Sequence, residues 1–347
     1  MSGGDICVVQ ARVFDLSDER WLAFVSSRRE ATPFHHPEWA QLVADVYGFG
    51  RFAFCLVDSQ DRIVAGVPFV DVNTRLRKRR WVSLPFTDYC QPLVDERHST
   101  TFIEAIDAAR SRAGVATVEV RGPFPGKAAE ETHMISHVLP LAEDPAAITD
   151  RFRPAVRRNI QTGGRKGVTV HVAESRSDLL DAFFHLQLLT RRRLGLPAQP
   201  RHFFACLWER VLERDLGFLL LAHVDRRPVA GAVFLAWNDT VTYKYGASDS
   251  SFWPYRPNHV LFAEAIRWAC LNRFQRFEFG RSSKFDVGLC RFKESWGPYA
   301  APVAYTGLGT PRRPHSPRTT AVVSVALKRS PLWLVRALGE SLYRYEA

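Results

Sequence analysis

Residues 254–298 read PYRPNHVLFAEAIRWACLNRFQRFEFGRSSKFDVGLCRFKESWGP and predict a helix, a short strand and a second helix. Asn258 is the expected N-cap of the first helix, because an asparagine side chain accepts hydrogen bonds from free backbone N–H groups. Residues 276–279 alternate polar and aromatic side chains, which is typical of a half-buried strand, and Gly280 should end that strand. Asp286 is placed to cap the second helix.

Lys293 lies on the apolar face of the second predicted helix. Leu289, Phe292 and Trp296 form one apolar stripe there. At about 100° per residue, Lys293 projects within about 40° of Leu289, on the stripe itself. A lysine in this position either snorkels, with a buried stem and a solvated ammonium, or brings a charge to a buried site. The second alternative makes Lys293 the leading candidate for a catalytic residue.

Several motifs together resemble one known family. They are FHHPEWAQLVADVYGF at 34–49, PFTDYCQPLV at 85–94, and PNHVLFAEAIRWA, RFEFGRS and GLCRFKESWG within the stretch above. Over residues 30–308 the sequence resembles the FemAB-like, non-ribosomal peptidyltransferase branch of the GNAT acyltransferase superfamily. The resemblance implies an α/β fold with two tandem GNAT-like domains that contain mixed sheets, and it implies an acyltransferase.

An internal repeat independently predicts two copies of one α/β unit. RIVAGVPFV at 62–70 resembles RPVAGAVFL at 227–235. A Glu-Ala-Ile helix that leads into a short alternating strand also recurs, at 104–122 and 264–281. Two similarities in the same order and at near-equal offsets indicate a duplicated unit.

The domain boundaries follow from a basic segment and a proline-rich segment. We place the first GNAT-like domain at residues 1–145, the second at 146–309, and a proline-rich linker with a C-terminal amphipathic helical tail at 310–347. Pro331 should divide the tail into two helical pieces, because proline cannot continue a helix. The tail is basic and has an apolar face, so it either packs on the body or lies on a membrane surface.

The charge balance favours anionic partners. The 347 residues carry a formal net charge of +11 and the sequence pI is about 9.6, which suits nucleotides, RNA or acidic lipid. The start, MSGGDICVVQ, does not look like a signal peptide, and no apolar run approaches the roughly 18 to 20 residues that span a bilayer. We therefore expect a cytoplasmic protein that is able to associate with the membrane.

Most familiar catalytic motifs are missing from the sequence. It contains no Gly-x-Ser-x-Gly elbow, Walker loop or Rossmann glycine fingerprint. Six widely spaced cysteines and the pair His133 and His137 do not assemble a zinc ligand set, so we predict no metal site. Instead, the family resemblance implies a splayed or bulged strand whose backbone N–H groups polarise the reacting carbonyl.

The identity of the acyl donor stays open at this stage. Ordinary GNAT enzymes hold the pyrophosphate of coenzyme A with Arg/Gln-x-x-Gly-x-Gly/Ala, and the nearest match, Arg192-x-x-Gly195-x-Pro197, fails at its last position. The place expected for this loop, before the first helix of the stretch above, reads WPYRPN. We expect no bound cofactor and a donor that is either aminoacyl-tRNA or acyl-CoA.

The resemblance also implies substrate-binding residues. Arg193 fits an arginine that contacts a substrate phosphate, and Tyr243 or its same-face neighbour Tyr245 fits an aromatic cleft contact. Lys293 corresponds to the family's lysine near the acceptor. Val43 stands where FemX-type enzymes have a lysine against nucleotide phosphates, which argues against a uridine-diphosphate muramyl substrate. The structural alternatives are an exposed arginine and core tyrosines.

Asp88 and Tyr89, in PFTDYC, are the candidates from the first domain and are expected to line the same cleft. Asp88 would orient or deprotonate an amine. Alternatively it caps a turn, as aspartates commonly do. In the first case it forms the predicted catalytic pair with Lys293.

Together these observations favour a FemAB-like acyl or aminoacyl transferase that acts on an amine of a cell-envelope or polysaccharide precursor. The expected partners are a nucleotide- or lipid-linked glycan or peptide precursor, aminoacyl-tRNA, and a membrane reached through the C-terminal helix. Two alternatives stay open. One is an N-acyltransferase that uses acyl-CoA or acyl carrier protein, and the other is a non-catalytic GNAT pair that binds an anionic glycan precursor or RNA.

The missing pyrophosphate loop predicts weak binding of coenzyme A. Titration calorimetry of the purified protein with acetyl-CoA should show a Kd no tighter than about 1 mM, which corresponds to about −4 kcal/mol. A micromolar Kd would contradict this prediction and favour the alternative that depends on acyl-CoA.

Overall fold

The computed structural model describes residues 9–74, 77–310 and 324–343. The chain falls into two compact units. As far as they are described, residues 1–132 and 303–313 form unit 1, and residues 133–302 and 314–346 form unit 2. Both units combine helices with a mixed β-sheet, so the predicted α/β fold class is confirmed.

Helices and strands are mixed along the whole chain. In chain order they are β1 (Gln10–Phe14), α1 (Glu19–Ser27), α2 (Pro37–Tyr47), β2 (Gly50–Val57), β3 (Ile63–Thr74), β4 (Arg77–Val82), α3 (Glu96–Arg112), β5 (Thr117–Val120), β6 (Glu130–Pro140), α4 (Pro145–Thr149), α5 (Pro154–Arg165), β7 (Thr169–Val172), α6 (Phe184–Leu194), α7 (Arg201–Leu207), β8 (Gly217–Val224), β9 (Arg227–Trp237), β10 (Thr240–Ser248), α8 (Pro257–Leu271), β11 (Arg276–Ser283), α9 (Val287–Glu294), β12 (Tyr299–Gly309) and α10 (Leu332–Leu342).

The same topology occurs in both units. In unit 1, β1 to β4 form an antiparallel meander, α3 follows, and β5 pairs in parallel with β4. In unit 2, β7 to β10 form the meander, α8 follows, and β11 pairs in parallel with β10. The repeated sequences fall on β3 and β9 and on the helix–strand pairs α3–β5 and α8–β11. The internal repeat therefore reflects a duplicated α/β unit, as predicted.

The last strand of each sheet explains why the units differ from the predicted domain boundaries. β6 pairs antiparallel with β11 in unit 2, and β12 pairs antiparallel with β5 in unit 1. The units therefore divide after residue 132 instead of 145, and residues 303–309 lie with unit 1. Composition marks linkers, but it does not reveal which distant strand completes a sheet.

Each unit has its own apolar core, formed by the inward faces of its strands and its long helix. Phe69 and Phe102 are fully buried in the core of unit 1. Phe262 and Trp296 are buried in the core of unit 2. Val43, on α2, has no exposed surface. Val43 is therefore a core residue.

The ends of the helices in the stretch 254–298 follow the prediction only in part. Arg256, with a φ of 62°, occupies the N-cap position of α8, so Asn258 lies inside the first turn and does not cap it. The prediction for Asp286 is confirmed, because its carboxylate accepts a hydrogen bond from the backbone N–H of Leu289 at 3.0 Å. Pro257 at the first helical position is the sequence signal for a cap at Arg256, because proline is favoured there.

The tail packs on unit 2. Pro331 separates a helix at 324–329 from α10, as predicted. α10 contacts α6, and Leu327 and Val335 are buried. Packing on the body is therefore the alternative that the structure shows, although Trp333 on α10 stays exposed.

Contact of the tail with a membrane remains a prediction. Most of the proline-rich linker, at 311–323, lies outside the described residues. Within the part of the chain that the structure describes, none of the helices combines the length and the apolar character needed to cross a bilayer.

His35 packs in unit 1 as a buried imidazole. It is 1% exposed, its Nδ1 accepts a hydrogen bond from the backbone N–H of Thr32 at 3.0 Å, and its Nε2 donates to the carbonyl of Gln91 at 2.9 Å. Burial lowers the pKa of His35 to about 4, against the opposing effect of these hydrogen bonds. The ring is therefore neutral at neutral pH.

We expect acid to destabilise the protein in part through His35. Its pKa in the folded state lies below the unfolded value of about 6.5, so the unfolded state binds more protons. Stability is then lost as the pH falls from about 6.5 to about 4, by on the order of 3 kcal/mol for this residue. His35→Gln keeps a donor and an acceptor but does not titrate, so it should lose less unfolding free energy between about pH 7 and about pH 4. Urea unfolding at both pH values checks this, and equal losses in the two proteins would contradict it.

Candidate active site

The candidate site forms where two parallel strands part. β10 and β11 pair only up to Thr242 and Glu278, although both strands continue beyond these residues. Immediately afterwards, β10 bulges against β9 between Tyr243 and Tyr245. The parting leaves the later backbone N–H groups of β10 without a partner in β11. This is the splayed and bulged strand that the family resemblance implies.

β11 bulges on its other edge, at Gly280. Its register with β6 shifts between Glu278 and Arg281, which places Phe279 and Gly280 opposite His137. Gly280 has a φ of 67°, a left-handed conformation that glycine adopts without strain. The prediction that Gly280 ends the strand was wrong, because pairing with β6 resumes after the bulge.

A cavity of about 630 Å³ opens in unit 2 beside the parted strands. Its walls come from α6, β9, β10, the start of α8, and α9. Three residues predicted from the sequence line it: Arg193, Tyr243 and Lys293. They are distant in sequence, and the fold brings them to one cavity.

Arg193 is a cation at the cavity wall without a carboxylate partner. Its guanidinium lies 4.8 Å from the centre of the Trp253 ring, and among the described residues it has no ion pair or hydrogen bond. Burial lowers the pKa of Arg193 from its ordinary value. The Trp253 indole is held in place by its Nε1, which donates to the Ser248 hydroxyl at 3.0 Å. Arg193 is exposed to solvent, as the structural alternative has it, and its charge is available to a ligand at the cavity.

Tyr243 reaches the cavity because of Gly246. A Cβ at position 246 would collide with the Tyr243 hydroxyl, so only glycine leaves room for the phenol. The ring packs against Phe234 and Phe262. Burial raises the pKa of Tyr243 to about 12, and the hydroxyl therefore stays protonated at neutral pH. It is a hydrogen-bond donor aimed into the site.

Lys293 is buried and stabilises the β11 bulge. It is 3% exposed, and its Nζ donates to the carbonyls of Gly280 at 3.0 Å and Arg281 at 3.2 Å. Because Nζ is buried with the rest of the side chain, the snorkelling alternative is not what the structure shows. The same side chain lines the cavity. Lys293 thus stabilises the β11 bulge and also lines the cavity.

His137 lies close to this contact. It has no exposed surface, and neither ring nitrogen has a hydrogen-bond partner among the described residues. Burial, with a smaller contribution from the nearby Lys293 ammonium, lowers the pKa of His137. His133, on the same strand, stacks with Phe285. No group of three or more potential ligands in the described part of the chain could hold a metal ion.

Tyr245 does not line the cavity. It is buried and packs edge-on against Phe203 and Phe204. Strand alternation alone places Tyr243 and Tyr245 on the same face, but the bulge at Lys244 puts one extra residue between them. Tyr245 is therefore a core residue, which is the structural alternative given above.

Asp88 and Tyr89 lie in unit 1, in the loop at 83–91 that follows β4. All described residues that line the cavity belong to unit 2, so neither of these two is among them. The Tyr305 hydroxyl donates to the Asp88 carbonyl at 2.8 Å, and Tyr89 packs edge-on against Phe34. A role for Asp88 and Tyr89 in acceptor binding remains a prediction.

The loop at 83–91 is strained and firmly held. Leu84 and Phe86 have φ values of 64° and 61°, which bulky residues rarely adopt. The buried side chain of Arg121 donates to the Thr87 carbonyl at 2.6 Å. Strain of this kind persists only where the surroundings enforce it, and it is concentrated at functional loops.

Sequence reasoning missed the residues that support the cavity wall. Trp253, Ser248 and Thr190 form one hydrogen-bonded set, because Thr190 also exchanges hydrogen bonds with the backbone of Ser248. No local pattern relates them. Gly246 is different, since a glycine inside a strand is itself an indication of close approach by another group.

Comparisons with known proteins agree with this geometry. Residues 150–294 match the acetyltransferase (GNAT) domain family. The chain is similar in structure to FemX, with 14% identity, a TM-score of 0.65 and coverage of 84% of this chain and 95% of FemX. No match is found among curated proteins.

Two further solved structures are similar. One is the C-terminal domain of a protein named as a lysylphosphatidylglycerol synthetase from Agrobacterium fabrum, with 14% identity, a TM-score of 0.54 and coverage of 90% of this chain and 94% of that domain. The other is a tandem GNAT protein from the clavulanic acid biosynthesis pathway, with 11% identity, a TM-score of 0.50 and coverage of 88% and 100%. The domain match confirms the predicted GNAT acyltransferase resemblance over residues 150–294, and the solved structures confirm the predicted fold.

Lys293→Met tests whether the buried charge acts at the site. Losing an electrostatic contact to the reacting groups should reduce kcat by about 10²- to 10³-fold. The carbonyls of Gly280 and Arg281 lose a buried donor, so the unfolding free energy should also fall, by about 1 to 3 kcal/mol. Steady-state kinetics and urea unfolding measure the two effects.

Arg291→Met is the matched control, because Arg291 is exposed on the same helix and does not line the cavity. It should leave both quantities near the wild-type values. If Lys293→Met loses stability while kcat stays within about threefold of wild type, Lys293 only stabilises the bulge.

Proposed function

We propose that this chain transfers an acyl or aminoacyl group to an amine of an anionic cell-envelope or polysaccharide precursor. The supporting observation is the Arg193 guanidinium, which has no ion pair among the described residues and lies on Trp253 at a cavity wall that also contains Lys293. A guanidinium matches phosphate and carboxylate oxygens in two-pronged geometry. Arg193 is exposed to solvent at the cavity wall, so an incoming anion can reach its guanidinium and form charge-assisted hydrogen bonds with it.

Different groups at the cavity serve different steps of the proposed reaction. Backbone N–H groups of β10, freed where the strands part, are suited to stabilise the carbonyl oxygen as negative charge develops on it. The amine nitrogen attacks the acyl carbon, and the bond from that carbon to the donor oxygen breaks. The protonated Tyr243 hydroxyl is a donor for the leaving oxygen. Lys293 adds positive charge at the same wall.

The proton of the attacking amine needs an acceptor, and Asp88 is our candidate. The loop that carries it is strained and fixed by hydrogen bonds, as a positioned base requires. Tyr89, beside it, is the proposed aromatic contact for the acceptor. Both roles rest on the family resemblance and on the rigidity of this loop.

Aminoacyl-tRNA is the proposed donor. The FemAB-like resemblance implies it, and a net charge of +11 suits binding to RNA. The similar structures include FemX and a domain named for lysylphosphatidylglycerol synthesis. A nucleotide- or lipid-linked glycan or peptide is accordingly the proposed acceptor.

One observation favours a second candidate, an N-acyltransferase that uses acyl-CoA or acyl carrier protein. The family that matches residues 150–294 is an acetyltransferase family. Asn258, in the first turn of α8, lines the cavity, and no side chain caps this helix. The positive end of α8 is thus suited to a phosphate group. Calorimetry with acetyl-CoA separates the two candidates.

A transfer assay tests the proposal directly. The protein is given tRNA charged with radiolabelled amino acids, or labelled acetyl-CoA, together with an amine acceptor linked to a nucleoside diphosphate. The same acceptor without its phosphates is the comparison. Arg193→Ala should raise the KM for the phosphorylated acceptor roughly 10- to 100-fold, the equivalent of about 1.5 to 3 kcal/mol for a charge-assisted hydrogen bond. It should leave the KM for the other acceptor unchanged.

Arg192→Ala is the control, since Arg192 is the adjacent residue and does not line the cavity. Equal KM values for wild type and Arg193→Ala with the phosphorylated acceptor would remove Arg193 from the binding site. Acceptor binding without transfer from either donor would favour the non-catalytic alternative.

A further inference from the structure

Large apolar side chains surround the mouth of the cavity and remain exposed to solvent. Leu194, Trp253 and Leu289 line the cavity, yet each keeps more than a third of its surface exposed. Phe285 is 82% exposed and Val287 is 53% exposed, and both flank cavity-lining residues of the same segment. We call these five side chains the apolar rim. Burying apolar side chains of this size is favourable, so a group of them left in water beside a cavity indicates a surface that something covers.

The rim is held in a defined shape. The backbone N–H of Asp286 donates to the Ser283 carbonyl at 2.9 Å, which closes a turn with Phe285 near its tip. The backbone N–H of Lys284 donates to the His133 carbonyl at 2.8 Å, and this bond ties the turn to β6. The turn therefore presents Phe285 to solvent on a fixed backbone.

Basic groups accompany the apolar ones. Lys284 and Arg291 are exposed on either side of Phe285, Val287 and Leu289. The last turn of α6, which ends at the cavity, carries three consecutive arginines up to Arg193. The exposed carboxylate of Asp286, which caps α9, offsets one of these positive charges and leaves the basic groups in excess. The rim is thus apolar at its centre and positively charged at its edge.

We infer that the apolar rim docks on the surface of an anionic lipid bilayer. Aromatic and aliphatic side chains enter the boundary between headgroups and acyl chains, and lysine and arginine contact anionic headgroups. A second copy of this chain is less suited, because it would bring the same positive charges together. Docking would open the cavity towards the membrane and admit an amphiphilic acceptor. That last point rests on the proposed function, whereas docking itself does not.

The test is co-sedimentation of the full-length protein with vesicles, in the absence of donor and acceptor. The vesicles contain phosphatidylcholine alone or phosphatidylcholine mixed with phosphatidylglycerol. Wild type should bind the mixed vesicles, and more weakly as salt is raised. Phe285→Ser combined with Val287→Ser should reduce this binding at least about tenfold. Lys284→Gln should weaken binding to the mixed vesicles only.

Two control variants replace exposed apolar side chains that lie away from the apolar rim. Leu271, at the far end of α8 from the cavity, is 56% exposed, and Trp333, on α10, is 68% exposed. Leu271→Ser and Trp333→Ser should bind mixed vesicles as wild type does. Thermal unfolding of every variant confirms that it is folded.

Three results would overturn the inference. The first is that wild-type protein does not bind mixed vesicles. The second is that the double variant binds them as wild type does. The third is that only Trp333→Ser loses binding, which would assign the membrane contact to the tail. Transfer to a soluble acceptor is measured separately. The double variant should keep it, so failure of docking and failure of the proposed reaction are distinguishable.

Discussion

The parting of β10 and β11 is the constraint on which the rest of the site depends. Parallel strands that diverge leave backbone groups without their ladder partners, and buried backbone groups need partners. β11 has a second irregularity, its bulge against β6, where Lys293 donates to the carbonyls of Gly280 and Arg281. On the β10 side the cavity keeps the backbone open to a ligand. A side chain thus stabilises the bulge of one strand, and the neighbouring strand keeps backbone groups open to the cavity.

The two cations at the cavity differ in what their charges do. Lys293 is committed to the bulge, so its position is set by the backbone it stabilises. Arg193 has only the face of Trp253 as a partner among the described residues, and this contact orients the guanidinium without neutralising it. Because Arg193 is exposed, water solvates its charge in the free protein, and a ligand can replace that water.

The duplicated units use the same topology differently. In unit 1 the strand β4 ends at Val82, and the loop after it closes on β5: Ser83 donates to the Glu119 carbonyl and Cys90 to the Arg121 carbonyl. In unit 2 the equivalent strand, β10, runs on past its paired residues, and a cavity opens beside it. Duplication therefore produced two copies of one framework. In one copy the loop is fixed in a strained conformation, and in the other the strands stay open.

The sequence by itself determined the local features of this protein. Helical spacing placed Lys293 on an apolar face, Asp286 was identifiable as a cap, and the repeat predicted two α/β units, because these patterns depend on neighbouring residues. Only the tertiary structure decided that Gly280 bulges, that the bulge at Lys244 sends Tyr245 into the core, and that Trp253 lies against Arg193. It also decided that β6 and β12 complete the two sheets. These outcomes depend on contacts between residues far apart in the chain, and periodicity over a few residues carries no information about such contacts.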